Sequence, residues 1–209
     1  LKWGHQTSAI VHQVALTKEG AYVTGEWSGQ AEFLGCTLSK AETSAKTTSF
    51  LSLVSRDGRC LWTRELLSEE RVGISGLDAR DGQGVILIGN VGTSFQLAGR
   101  QVEVRSKRSF FAARLSSVGK VQWAHVGTGE ESAISGAWVW GVSMGPDGDS
   151  VVGGSLSGSM SWLGTRLDSG SYRFPEGPVP KAASFVTVLG PGGEAKWSKV
   201  VSSRTLLEG

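Results

Sequence analysis

The sequence has few cysteines, few prolines and no long apolar run, and each shortage removes a class of protein. Two cysteines are too few for the dense disulfide scaffold of a small secreted domain. Five prolines in 209 residues exclude a proline-rich linker. No apolar stretch approaches the roughly 20 residues that cross a bilayer, so we expect a chain that does not span a membrane. The single asparagine, Asn90, forms no N-glycosylation sequon.

An excess of one charge sign is also lacking. The 21 basic and 19 acidic residues leave a net charge of +2, which gives no reason to expect a nucleic-acid partner. Three dispersed histidines show no metal-ligand spacing. The G-x-S-x-G pattern at 154–158 lies at a predicted strand end rather than in the strand–turn–helix context of a nucleophile elbow. We therefore expect a non-enzymatic protein with no catalytic residue, cofactor or metal.

The first ten residues, LKWGHQTSAI, contain neither an initiating Met nor the apolar region of a signal peptide. This start predicts an internal piece of a longer chain, or a mature form whose beginning has been removed.

Glycine and tryptophan are abundant, with 30 and 8 residues, and they recur in a repeated pattern. Each copy reads Ser-Phe, an alternating apolar run, a glycine-bearing turn and a short strand that reaches Trp. This pattern is typical of a β-hairpin. The copies are SFLSLVSRDGRCLW (49–62), SFFAARLSSVGKVQW (109–123) and SFVTVLGPGGEAKW (184–197).

Two further elements precede each copy. An upstream hairpin turns at an acidic residue followed by glycine, a pair that permits the positive φ angles of tight turns. A connector then places a large apolar residue before a glycine and another apolar residue three positions later, which predicts an apolar anchor. The hairpins span 14–29, 76–92 and 141–158, and the connectors span 32–38, 95–102 and 161–167.

Four antiparallel strands in each repeat, at intervals of about 60 to 75 residues, predict an all-β fold of the β-propeller type. We expect three complete four-stranded blades with partial blades at both ends. The extra residues of the third repeat predict an inserted loop at 168–180. The predicted boundaries are 1–7 for the end of a preceding blade, 8–66, 67–127 and 128–201 for complete blades, and 202–209 for the start of a further blade.

The first copy, VALTKEGAYVTGEWSG followed by FLGCTL and SFLSLVSRDGRCLW, resembles the SBBP-type β-propeller repeat. The second and third copies match it more loosely, and DGRCLW and VGKVQW also resemble quinoprotein-type propeller repeats. The SBBP resemblance implies a propeller within a large extracellular or surface protein and no catalytic residues. The sequence by itself leaves the compartment open.

The repeated aromatic residues are interpreted as packing between blades, because a residue that recurs in every repeat is placed by the fold. The alternative is a ring of aromatic side chains that stack on a ligand. Burial of one Trp removes about 150–250 Å² from water. The repeated residues are Trp3, Trp62, Trp123, Trp197, Phe50, Phe110 and Phe185.

The other candidate contacts are not repeated. The inserted loop is the best candidate for a specific contact, because loops carry function and exposed aromatic residues anchor interfaces; its candidate residues are Tyr172, Arg173 and Phe174. Trp138 and Trp140 are two positions apart, so they are predicted to share one strand face. The basic segment 100–108 is either a protected sheet edge or a site for an anionic partner.

Cys36 and Cys60 are predicted to lie at opposite ends of a blade. A strand of six residues spans roughly 20 Å, whereas a disulfide needs Cα atoms within about 7 Å. We therefore expect the two thiols to be unbonded, unless the connector folds back along the blade.

The sequence predicts a structural or protein–protein interaction module whose partner is another protein, other parts of the same chain, or an assembly. Two alternatives remain open. A lectin-like propeller would bind carbohydrate, and a quinoprotein-type enzyme would carry a cofactor and a calcium site.

Overall fold

A computed structural model of the chain describes residues 9–28, 31–38, 48–70, 72–129, 136–174 and 177–201. All regular elements in these ranges are β-strands, which confirms the prediction of an all-β chain. The predicted partial blades at 1–7 and 202–209, and with them Trp3, lie outside the described residues.

The strands form three successive sets, called units 1, 2 and 3. Unit 1 comprises β1 Ala9–Leu16, β2 Ala21–Trp27, β3 Ala31–Phe33, β4 Cys36–Leu38, β5 Thr48–Val54 and β6 Cys60–Ser68. Unit 2 comprises β7 Gly73–Arg80, β8 Gly84–Val91, β9 Phe95–Leu97, β10 Arg100–Val102, β11 Ser109–Leu115 and β12 Val121–Gly129. Unit 3 comprises β13 Gly136–Met144, β14 Ser150–Ser157, β15 Ser159–Trp162, β16 Thr165–Asp168, β17 Ser171–Phe174, β18 Gly177–Pro180, β19 Ala182–Leu189 and β20 Ala195–Val201.

Each unit contains a four-stranded antiparallel meander. The strand orders are β1-β2-β5-β6, β7-β8-β11-β12 and β13-β14-β19-β20. The third strands of units 1 and 2, β5 and β11, are buried along their whole length. A strand covered on both faces needs a nearly continuous apolar run, and this requirement explains the segments that follow each Ser-Phe pair in the sequence.

The predicted connectors are short hairpins. Their central residues have positive φ, at 51° in Leu34, 50° in Ala98 and 50° in Leu163, and each is followed by a glycine that also has positive φ. Two successive positive φ angles are what a tight two-residue hairpin requires. The predicted anchors before these turns are buried, at positions Phe33, Leu97 and Trp162.

The connector hairpins of units 2 and 3 extend the sheet of the preceding unit. Strand β9 pairs with β6, with Leu97 opposite Leu66. Strand β15 pairs with β12, with Ser161 opposite Thr128. Main-chain hydrogen bonds therefore join unit 1 to unit 2 and unit 2 to unit 3.

The expectation that Cys36 and Cys60 are unbonded is wrong. They form a disulfide with a Cα–Cα distance of 5.6 Å. The connector hairpin folds back along the sheet, and the amide N–H of Cys60 donates to the carbonyl of Leu34 at 2.9 Å. This fold-back removes the strand-length separation on which the expectation rested.

The predicted inserted loop at 168–180 is largely a hairpin. Strand β17 pairs with β18, with Tyr172 opposite Val179 and Phe174 opposite Gly177. This hairpin has no counterpart among the described strands of units 1 and 2.

Two clusters of buried apolar side chains lie at the contacts between neighbouring units. One cluster joins Tyr22 and Leu53 of unit 1 to Val85 and Phe111 of unit 2. A second cluster joins Phe110 of unit 2 to residues of unit 3. Units 1 and 2, and units 2 and 3, therefore bury apolar faces against each other. A third cluster, which includes Phe33 and Phe50, lies within unit 1.

Candidate interaction surfaces

The repeated Trp of one unit binds the turn between the third and fourth meander strands of the next unit. Nε1–H of Trp62 in unit 1 donates to the Ser117 carbonyl of unit 2 at 2.9 Å. Nε1–H of Trp123 in unit 2 donates to the Pro191 carbonyl of unit 3 at 3.0 Å. The same contact is thus made twice along the chain.

The residue two positions after each Trp contributes to this contact. The Arg64 guanidinium lies 5.3 Å from the ring centroid of Trp62, and its Nε donates to the Gly119 carbonyl at 2.9 Å. His125 stacks on Trp123 with ring centroids 5.3 Å apart. A Cβ on Gly193 would lie 2.7 Å from both of these rings. Only glycine, which has no Cβ, therefore fits at the turn position that these two rings cover.

The three turns share one backbone geometry. In each, the fourth residue is a glycine with positive φ, at 86° in Gly58, 74° in Gly119 and 87° in Gly193. Its N–H donates to the carbonyl of the first turn residue at 3.0, 2.9 and 2.9 Å respectively. By this equivalence, the Arg56 carbonyl in unit 1 corresponds to the acceptors at Ser117 and Pro191.

The turns between the first and second meander strands also bind across units. Lys18 of unit 1 forms an ion pair with Asp81 of unit 2 at 3.2 Å. Gln83 of unit 2 donates through Nε2 to the Pro146 carbonyl of unit 3 at 2.7 Å. The partners in each contact are 63 residues apart, about one repeat. In an antiparallel meander these turns lie at the same end as the turns that bind the repeated Trp residues, so this end of each unit is held to the next by both.

Arg114 joins the two kinds of turn. Its guanidinium is buried and donates to the carbonyls of Gln83, at 3.3 Å, and Gly148, at 2.8 Å, in turns between the first and second meander strands, and of Pro191, at 3.4 Å, in a turn between the third and fourth. Burial lowers the pKa of Arg114 from its ordinary value. The carbonyls solvate the cation, which therefore links units 2 and 3.

The structure places Phe111, rather than the predicted Phe110, at the position equivalent to Phe50 and Phe185. A Cβ on the second-strand glycine would meet the ring of Phe50 at 2.8 Å in unit 1, of Phe111 at 2.5 Å in unit 2 and of Phe185 at 2.8 Å in unit 3. The Phe110-to-Trp123 spacing is one residue longer than in the other copies, and a one-residue offset reverses the face of a strand.

Phe110 nevertheless packs between units. Its ring centroid lies 4.7 Å from that of Trp162 and 5.4 Å from that of Phe185, both in unit 3. The side chain is completely buried.

The outer face of unit 3 exposes apolar side chains at positions that are covered elsewhere. Trp197 is 46% exposed, whereas Trp123 is 6% exposed. Val151 and Val201 are also exposed, although the equivalent residues of unit 1, Tyr22 and Leu66, are buried. We call this surface the Trp197 face.

The opposite face of unit 1 has the complementary features. Leu16 is 78% exposed, although its equivalents Ala79 and Met144 are buried. A hollow of about 490 Å³ lies beside Leu16, Ala21, Val54 and Arg56. We call this surface the Leu16 hollow.

Trp138 and Trp140 lie on the solvent side of β13, where they alternate with the buried residues Ala137 and Val139. Trp138 lines a groove of about 330 Å³ together with Glu70, Lys107 and Arg108. An indole beside a carboxylate and two cations is chemically suited to a polar ligand with an apolar face, such as a carbohydrate.

The remaining candidates are more dispersed. Arg100 lies on β10, the edge strand of its sheet, and Arg105 is exposed in the segment that follows. The side chains of Tyr172, Arg173 and Phe174 lie outside the described part of the structure, so their role in a contact stays a prediction.

Among the described residues, no group of three or more His, Cys, Asp or Glu side chains is arranged to hold a metal ion. The same part of the chain contains no helix with the length and hydropathy needed to cross a membrane. A scan of protein-family models finds no match to the chain, and a search of curated proteins likewise finds no matching sequence.

Proposed function

We propose that the chain is a set of three β-propeller blades that serves as a structural or protein–protein interaction module within a larger protein or assembly. The observation that carries this proposal is the repeated contact from the Trp of one unit to the glycine turn of the next. Trp62 and Trp123 make this contact. Apolar clusters are buried between the same pairs of units. Contact between neighbouring units is therefore the interaction that repeats along the chain.

The resemblance to the SBBP-type repeat supports the same function. The strand order and the buried connector anchors are compatible with blades of that family. The Cys36–Cys60 disulfide favours an extracellular or cell-surface location, because disulfides persist in oxidising compartments.

Site-specific photo-crosslinking tests the interaction function. A photoreactive amino acid replaces Tyr172 on the β17–β18 hairpin, and the matched control replaces the exposed Gln122 on β12. The expected result is a defined adduct with one protein from a native extract at position 172 and none at position 122. Equal, diffuse labelling at both positions would contradict a specific contact through the hairpin.

A lectin-like function is the second candidate, and the groove beside Trp138 is the observation that favours it. Titration with a panel of monosaccharides, followed by NMR of the Trp indole N–H signals, separates the two functions. The interaction module predicts no shift at Trp138 or Trp140. A saturable shift of the Trp138 signal would favour carbohydrate binding.

A further inference from the structure

We propose that a basic hollow between units 1 and 2 binds an acidic segment of a partner protein, whose carboxylates pair with Arg64, Arg100 and Lys120. This inference rests on the proposed function, because it assigns a surface and a chemical class of partner to the interaction module. All of the residues that line the hollow belong to units 1 and 2.

The hollow brings together cations from three elements. It has a volume of about 660 Å³. Arg64 comes from β6 of unit 1, Arg100 from β10 of unit 2, and Lys120 from the turn between β11 and β12. We call this surface the Arg100 hollow. Its other described lining residues carry no charged side chain, and they are Ala98, Gly99, Gly119 and Val121.

The positive charge of the Arg100 hollow is not neutralised by carboxylates. The guanidinium of Arg64 donates to main-chain carbonyls, through Nε to Gly119 at 2.9 Å and through Nη2 to Val118 at 3.1 Å. These carbonyls orient the guanidinium but carry no net charge. Within the described part of the chain, no Asp or Glu forms an ion pair with Arg64, Arg100 or Lys120. An anion that enters the hollow therefore meets three cations.

The repeated fold does not require these charges. At the contact between units 2 and 3, the three equivalent positions hold His125, Thr165 and Glu194. Thr165 follows the connector glycine, as Arg100 does. Glu194 closes its turn through the main chain, as Lys120 does. The same contact thus forms with a carboxylate in place of a cation, so packing explains the position of the hollow but not its charge.

Protection of a sheet edge accounts for one of the three cations. A charged residue on an edge strand discourages pairing with another chain, and Arg100 lies on the edge strand β10. Arg64 lies on β6, which pairs with β5 on one side and β9 on the other. Lys120 lies in a turn of a different sheet. The convergence of all three therefore indicates a binding surface.

The cations of the hollow suit carboxylates on a short segment. A guanidinium binds a carboxylate through two parallel hydrogen bonds, and a lysine adds a point charge. A long polyanion is instead held by cations along many of its charged groups. Here the positive charge is confined, because Glu103 lies three residues beyond Arg100 and Glu194 occupies the equivalent position at the next contact.

Fluorescence anisotropy with fluorescein-labelled hexaglutamate tests the proposal on the full chain. The expected result is saturable binding that weakens as salt is added, with no binding of labelled hexalysine. Arg100→Glu and Lys120→Glu should each weaken binding about tenfold, because a repulsive charge replaces an attractive one. Arg105→Glu is the matched control, since it makes the same charge change at an exposed residue outside the hollow. This control should bind as the wild type does.

The variants are chosen to keep the fold intact. Glutamate already occupies the position equivalent to Lys120 in unit 3, at Glu194, and Arg100 is exposed. Arg64 is left unchanged because it also binds the turn of unit 2. Circular dichroism and thermal unfolding verify that each variant is folded.

Three results would overturn the proposal. The first is a wild-type chain that does not bind hexaglutamate, and the second is an equal loss of binding in Arg105→Glu and the hollow variants. The third is binding of a heparin-derived sulfated hexasaccharide without binding of hexaglutamate, which would assign the hollow to a sulfated carbohydrate.

The crosslinking experiment separates this proposal from the proposed function. Failure of hexaglutamate to bind, with the adduct at position 172 retained, rejects the Arg100 hollow alone. Binding of hexaglutamate without an adduct at position 172 rejects the hairpin contact alone. Failure of both rejects the interaction function.

Discussion

Trp123 combines burial and hydrogen bonding at the contact between units 2 and 3. The side chain is 6% exposed, and its Nε1–H donates to the Pro191 carbonyl. We expect Trp123→Ala to lower the free energy of unfolding by about 3–5 kcal/mol, as measured by urea denaturation. The control is Trp140→Ala, at a residue that is 64% exposed, with an expected loss below about 1 kcal/mol. Equal losses in the two variants would contradict the packing role of Trp123.

His125 makes the same contact sensitive to pH. Burial is the main effect that lowers the pKa of His125 below its ordinary value, and the charge of Arg100 acts in the same direction. In the unfolded chain the imidazole titrates near its ordinary pKa of 6.5. As the pH falls below that value, the unfolded state binds a proton that the folded state does not, so stability is lost until the lower folded pKa is reached.

The expected result is a lower free energy of unfolding at about pH 5.5 than at about pH 7.5, with a smaller difference in His125→Gln. Urea denaturation of both proteins at the two pH values measures this difference. An unchanged pH dependence in His125→Gln would show that another group is responsible.

At the scale of single elements, alanine substitutions at two glycine turns distinguish the cost of backbone strain from the cost of disturbing a contact between units. Gly119 and Gly82 both have positive φ, at 74° and 69°. A Cβ on Gly119 would lie 3.1 Å from the Trp62 ring, whereas a Cβ on Gly82 would meet no atom within 4 Å. Gly119→Ala and Gly82→Ala should therefore share a strain cost of about 1–2 kcal/mol.

Gly119→Ala should lose roughly 1–3 kcal/mol more, because the new methyl group overpacks the contact with Trp62. Thermal unfolding of the two variants measures the difference. Equal melting temperatures would indicate that Trp62 does not rest on this turn.

The Cys36–Cys60 disulfide links the connector hairpin of unit 1 to the start of β6. The two cysteines are 24 residues apart. For a closed loop of this size, loss of the bond should lower the free energy of unfolding by about 3 kcal/mol. The double variant Cys36→Ser with Cys60→Ser should match the reduced wild type in urea denaturation. Equal stability of the double variant and the oxidised wild type would contradict a stabilising role.

The elements that the sequence predicts well are those set by local chemistry. Acidic–glycine pairs predict the hairpin turns, and a glycine after an apolar anchor predicts the connector turns. Both predictions work because tight turns need residues that tolerate positive φ. The disulfide could not be predicted, because it depends on the path of the connector back along the sheet. The pairing of β9 with β6 likewise depends on how separate units dock.

Only part of the candidate interaction surfaces could be predicted from the sequence. The repeated Trp positions identify the contact between units, but their hydrogen bonds to turn carbonyls depend on tertiary structure. The spacing of 13 rather than 12 residues between Phe110 and Trp123 was the signal for the offset that places Phe111 in the repeated position. The groove at Trp138 includes residues from several strands and loops, so no local pattern could predict it.

At the scale of the whole molecule, the described residues form three units, with apolar clusters buried between units 1 and 2 and between units 2 and 3. Main-chain pairing, turn contacts and the Trp-to-turn hydrogen bonds all join neighbouring units. A molecule assembled in this way is stabilised by nearest-neighbour interfaces. The central claim is therefore that the indoles of Trp62 and Trp123 are bound by the following unit.

Hydrogen exchange of the Trp indole N–H groups, followed by NMR, tests this claim most directly. Trp162 is the slow reference because its buried Nε1–H donates to Oγ1 of Thr187 at 3.1 Å, and the exposed Trp140 is the fast reference. The predicted result is slow exchange at Trp62 and Trp123, close to that of Trp162. Exchange at Trp62 and Trp123 as fast as at Trp140 would contradict the account.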